Sequence, residues 1–258
     1  MIGPHDGNEW QCDTLLVLCA LAVALLTVWL DVSRVSAHDL LDAEEAERSL
    51  QRIDELNAAI IKGDSIEHRA EALFALGDTI AHLTASLNRD VVAHNGELGL
   101  VAIVLVNELK RREIDLSWWP EAIRYRSYVR PFEQYITLLS HGPRRGEALF
   151  HILQGRFYDS FISDPLQPVA VPWSALVAEI EHAKALLAHY PTYHNREEVL
   201  FILAVDYVRA ARQAPDAALQ QAYVTQARAT LQAFHTTYPD SLRTAAAHML
   251  LERLPAAE

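Results

Sequence analysis

The feature that most narrows the fold is an internal echo near the C-terminus. Ala183–Tyr207, AKALLAHYPTYHNREEVLFILAVDY, is echoed within Thr230–Leu254, TLQAFHTTYPDSLRTAAAHMLLERL, where Tyr190-Pro191 falls on Tyr238-Pro239, 48 residues later. Nine residues beyond each tyrosine stand Val199 and Ala247; thirteen beyond stand Leu203 and Leu251. This spacing predicts a helix that ends at Tyr-Pro, a turn, and a second helix whose apolar residues return to one face. A helical hairpin of this kind has an apolar side that it cannot hide alone, and stacking on a neighbour hides it.

A shorter pattern, Glu-[Ala/Val]-Leu-Phe, occurs three times, at Glu71–Phe74, Glu147–Phe150 and Glu198–Phe201. It reads as packing. Leu73, Phe74, Leu149, Phe150, Leu200 and Phe201 are expected as knobs between helices, with each glutamate near a first turn. No acid, base or metal ligand stands beside these glutamates in the pattern that catalysis requires.

Only nine of 258 residues are glycine, 51% are hydrophobic, and long segments are rich in Ala, Leu, Glu and Arg, a composition that favours an all-α protein. Helices are expected over Asp39–Lys62, Ile66–Leu87, Leu98–Leu109, from Trp118 onward, Arg145–Phe161, Ser174–His189, Asn195–Gln213, Asp216–Thr236 and Ser241–Leu254. Gly63-Asp64-Ser65 supplies a stop and a fresh N-cap. Leu98–Leu109 is apolar on nearly every side and is expected as a central, covered helix. In the helix from Trp118, Pro120 suits the first turn, Tyr125, Tyr128, Phe132 and Tyr135 share a face, and Pro131 kinks or splits it. Nine helices leave no room for a substantial sheet.

The net charge of −12 argues against nucleic acid as a partner. Against that background Lys110–Arg145 carries eight basic and four acidic residues. Arg126 and Arg130, four apart, point the same way if the segment is helical. Two readings stand: a solvated helix face, or a docking patch of Arg124, Arg126 and Arg130 with Tyr125, Tyr128, Trp118 and Trp119, suited to an acidic peptide or an anionic lipid surface. Twelve histidines, with His182 and His189 on one helical face, leave an all-helical, His-based metal-binding protein or enzyme as an alternative, but no His-Glu-x-x-His or paired Glu-x-x-His occurs, and no cofactor or catalytic residue is expected.

Thr14–Leu30 is an uncharged 17-residue run, followed by the small-residue site Val35-Ser36-Ala37. A cleaved signal peptide over residues 1–37 is one reading; an uncleaved membrane anchor, touching the bilayer through residues 14–30, is the other. The residues ahead of the run are acidic rather than basic. Both cysteines, Cys12 and Cys19, lie in this leader, so residues 38–258 have no thiol chemistry.

Tyr238-Pro239-Asp240-Ser241, followed by an Ala-rich helix, resembles the tetratricopeptide-type repeats of bacterial envelope proteins, most nearly those of periplasmic outer-membrane-assembly lipoproteins. The likeness covers 183–254 and, more faintly, 50–87. The 48-residue spacing is longer than the 34 usual for this repeat class. The resemblance implies stacked antiparallel helical hairpins and a non-enzymatic scaffold or assembly factor. Its expected setting is the periplasm, or the inner membrane if the leader is retained, and its expected partner is a protein or peptide with an acidic segment. The organisation expected is a helical region over 38–163, a linker over 164–173 rich in Pro165, Pro168 and Pro172, and a repeat region over 174–258.

Overall fold

The computed structural model describes residues 41–160 and 171–254. The leader, the 164–170 part of the expected linker and Phe161 lie outside the described residues. Among the described residues are nine α-helices and one two-residue antiparallel strand pair, which makes the protein all-α as expected.

The first helix, α1 (Ala43–Lys62), starts behind Asp42, whose carboxylate accepts the Glu45 N–H at 2.6 Å. Helix α2 (Ile66–Ala93) starts behind Ser65, whose Oγ accepts the His68 N–H at 3.1 Å. Each cap satisfies an amide left without a partner in the first turn. The expected end of α2 at Leu87 is wrong. Asn88 does not cap the helix; its side chain accepts the Tyr125 N–H at 2.7 Å and donates to the Tyr125 carbonyl at 3.0 Å. With that amide engaged elsewhere, the helix runs on through buried Val91.

Helix α3 (Leu100–Arg111) also departs from expectation. It buries Ala102, Leu105 and Leu109 against the α1–α2 pair but turns Leu100, Ile103 and Val104 outward, 79%, 44% and 53% exposed. It is covered on one side, not all round.

The helix expected from Trp118 does not form. Trp118–Trp119 (β1) pairs antiparallel with Arg124–Tyr125 (β2) around a single 3-10 turn, Pro120–Ala122. Ile123 closes the turn in the left-handed region, φ 51° and ψ 48°, a conformation that ends a helix. The Asn88 amide holds both backbone groups of Tyr125, so the strand is fixed from α2 rather than by local preference. Of the expected aromatic stripe only Phe132 and Tyr135 share a helix, α4 (Arg130–Leu138). Pro131 sits in its first turn, where a missing N–H costs nothing, and so opens a short helix instead of bending a long one. Arg126 therefore precedes the helix that Arg130 begins, and the two do not lie one turn apart on one face.

The remaining helices are α5 (Arg145–Tyr158), α6 (Trp173–His189), α7 (Arg196–Gln213), α8 (Ala217–Thr237) and α9 (Thr244–Glu252). Trp173, expected as the end of the linker, is already the first residue of α6.

Three turns share one backbone design. At the α6–α7 turn the bonds are Tyr190 N–H to Leu186 O, Tyr193 to Tyr190, Arg196 to Tyr193 and Val199 to Asn195. At α8–α9 they are Tyr238 to Phe234, Ser241 to Tyr238, Thr244 to Ser241 and Ala247 to Arg243. The same four bonds recur at α4–α5, from Leu139 to Tyr135, Gly142 to Leu139, Arg145 to Gly142 and Ala148 to Arg144. The residue after the first helix has nearly one geometry in all three: φ −134°, ψ 73° at Leu139; −127°, 66° at Tyr190; −129°, 60° at Tyr238. Leu139-Ser140 thus occupies the place of Tyr-Pro, a third copy that side-chain identity conceals. Successive hairpins also touch near these turns: the Tyr190 ring packs on Gly146, leaving 3.0 Å for a Cβ there, and Ser241 Oγ donates to Glu197 at 2.5 Å, Gly146 and Glu197 each lying seven residues after the residue that opens their own turn.

The Glu-[Ala/Val]-Leu-Phe residues are packing elements. Leu73, Phe74, Leu149, Phe150 and Phe201 are buried, while Leu200 is half-buried at the edge of the α5–α9 core. Burying a side chain of this size contributes about 1.5–3 kcal/mol. One charged group lies deep inside that core: Arg209 donates to Asp206 at 2.8 Å and lies 3.7 Å from Glu179. Burial pushes the Asp206 carboxyl up to about 8, despite the arginine, so it is protonated at neutral pH.

Candidate functional site

The strand pair and the end of α5 form one structure. Trp119 is buried, with the Arg126 guanidinium 4.4 Å and the Arg124 guanidinium 5.4 Å from its ring centroid. Such contacts hold a cation against an aromatic face and restrict its motion. Arg124 also donates to the Tyr158 carbonyl, at the last turn of α5. Asp159, next in the chain, accepts the Ser127 N–H at 2.9 Å. Burial raises its pKa to about 6, opposed by the Ser127 bond and the charges of Arg124 and Arg126.

The seven residues expected as a patch therefore divide. Arg124, Arg126 and Trp119 form one stack. Tyr125 is buried and takes Trp118 edge-on at 5.0 Å, leaving Trp118 38% exposed. Tyr128, half-buried, lines a cleft, whereas Arg130 is exposed at the start of α4 and joins neither arrangement.

That cleft, about 180 Å³, lies between α2, the 127–129 segment and α5. Phe132 and His151 are among its walls, stacked face to face with centroids 4.5 Å apart. His151 Nε2 is 3.4 Å from Asp78, and Arg144 bridges Asp78 at 3.5 Å and Glu147 at 2.8 Å while lying over the Phe74 ring. Burial lowers the His151 pKa, outweighing Asp78, so the imidazole is neutral at pH 7. At the other end, Gln154 and Tyr158 donate to Glu198 of α7 at 3.0 and 3.1 Å, and Arg243, before α9, lies 3.5 Å from the same carboxylate. The cleft has room for about one side chain, with neutral donors and acceptors on its walls. A wider polar groove of about 460 Å³ runs between α1 and α2 past Arg48, Arg52 and His82 and reaches Asp78.

Sequence reasoning did not find His151, Gln154, Tyr158 or Arg243. A usable signal was there: His151 directly follows Glu-Ala-Leu-Phe, and Glu198 opens the next copy. Among the described residues no group of three or more His, Cys, Asp or Glu is placed to hold a metal ion, and no helix is long and apolar enough to cross a membrane. Comparison with protein-family models, with curated proteins and with solved structures finds no match.

Proposed function

We propose that this protein is a non-enzymatic helical-repeat scaffold of the tetratricopeptide type, which takes a protein or peptide partner in the cell envelope after export. The observation that carries the reading is the threefold recurrence of one turn at Leu139, Tyr190 and Tyr238, with the same four backbone bonds. Tandem hairpins build an extended surface from successive helices, and such surfaces serve binding. The Arg124–Trp119–Arg126 stack supports an acidic segment as the ligand, because a guanidinium held on an aromatic ring is already ordered when it meets a carboxylate.

A peptide array scored with the purified chain tests this reading. Acidic peptides are expected to be selected, and Arg126→Glu is expected to weaken the selected peptide by at least tenfold without loss of helicity. Equal binding by the variant removes the stack from the account; selection of no peptide class removes the scaffold reading. N-terminal sequencing of the protein from cells tests export: a chain beginning at His38 is expected, and a retained Met1 selects the anchored form.

A further inference from the structure

The outward face of α3 needs an occupant. Leu100, Ile103 and Val104 follow helical spacing, so their exposure is one continuous apolar strip opposite the buried Ala102, Leu105 and Leu109. Nothing in the protein-binding reading uses this strip. It continues onto a neighbour, since the Ile123 side chain, 52% exposed at the tip of the strand pair, lies beside Gly96 in the loop leading into α3. One and two turns beyond the apolar residues, the same side carries Asn107 and then Lys110 and Arg111, both exposed. Arg111 pairs with Glu108, whereas Lys110 has no ion-pair partner among the described residues. A chain of net charge −12 thus places an unpaired cation at one end of an exposed aliphatic strip.

We propose that this face of α3 lies on an anionic lipid surface. A 12-residue helix is about 18 Å long and cannot span a hydrocarbon core of about 30 Å. Lying in the plane of the interface, it buries Leu100, Ile103 and Val104 among the acyl chains near the headgroups, while Lys110 reaches a lipid phosphate. Charge points to this occupant: Lys110, without an ion-pair partner among the described residues, lies two turns beyond the apolar residues, and an anionic bilayer supplies both the counter-charge and the apolar depth.

The test is backbone hydrogen exchange of the full-length chain, alone and with phosphatidylcholine vesicles containing or lacking phosphatidylglycerol. Reading exchange at α3 itself keeps the result independent of any bilayer contact made by residues 14–30. Protection of Leu100–Arg111 is expected with the anionic vesicles. Val104→Glu with Leu100→Glu, both at exposed positions, should abolish it. Lys110→Gln should raise the anionic lipid concentration needed by about fivefold, the loss of one basic residue at such a surface. Unchanged exchange of α3 on anionic vesicles overturns the proposal. So does protection that persists in the glutamate variant, or that appears without vesicles as protein concentration rises, which would assign the face to a second copy.

Discussion

Replacing Gly77 by alanine sets two known effects against each other. In a helix interior, alanine is favoured over glycine by about 1 kcal/mol, and Gly77 lies well inside α2. A Cβ at this position, however, would sit 2.7 Å from Phe132 Cζ, 2.8 Å from Cε1 and 3.0 Å from Cε2. The ring has little room to retreat: it is 1% exposed, stacked on His151 and edge-on to Phe74 at 5.2 Å. Overpacking of this kind costs about 1–3 kcal/mol, and a ring confined on several sides belongs in the upper half of that range. The expected net effect is a loss of about 1–2 kcal/mol, or about 3–6 °C in Tm for a chain of this size. Thermal unfolding followed by circular dichroism reads it directly. Phe132→Leu in the same chain should relieve part of the penalty, with a coupling of about 1 kcal/mol in the double-mutant cycle. A Gly77→Ala protein as stable as the parent would refute the close approach of α2 and α4 on which the cleft depends.

Three further outcomes follow from the same geometry. Asn88→Ala leaves both backbone groups of Tyr125 without their partner and should cost about 1–3 kcal/mol, with faster amide exchange confined to Trp118–Arg126; exchange at the parent rate would show that the strand pair holds itself. Asp206 keeps its proton up to about pH 8 when folded but sheds it near pH 4 when unfolded, so stability should fall as pH rises between those values. Asp206→Asn should flatten that slope by about 1 kcal/mol per pH unit in denaturant titrations from pH 5 to 8, and parallel curves would contradict the buried carboxyl. Phe201→Ala, at the junction of α5, α7 and α8, should cost about 3–5 kcal/mol, and a loss below 1 kcal/mol would show that its packing is not as described.

Helices were legible where both period and punctuation were local. Gly63-Asp64-Ser65 carries its stop and its cap within three residues, and Tyr-Pro marks two turns. The third turn was hidden because the shared feature is a set of backbone bonds, which Leu139-Ser140 makes without a tyrosine or a proline. The strand pair was hidden for a different reason. Its determinant is Asn88, 37 residues upstream, and from the sequence Trp-Trp-Pro fits a helix start equally well. The exposure of α3 was illegible because a short apolar run does not say how many neighbours cover it. The candidate site was half legible: the arginine and aromatic types were recognised around Trp119, but a helical spacing was assumed that the backbone does not adopt. His151 and Gln154 acquire their neighbours only from the stacking of α2 against α5 and of α5 against α7.

Whether successive hairpins lean on one another is best read from the Tyr190 ring. In a nuclear Overhauser spectrum of the isotope-labelled protein, its aromatic protons should show strong cross-peaks to the Gly146 α-protons, 44 residues away, with those α-protons shifted upfield by the ring. Absent cross-peaks and an unshifted Gly146 would mean that the α4–α5 and α6–α7 hairpins do not meet there, and the proposed repeat scaffold would lose its foundation.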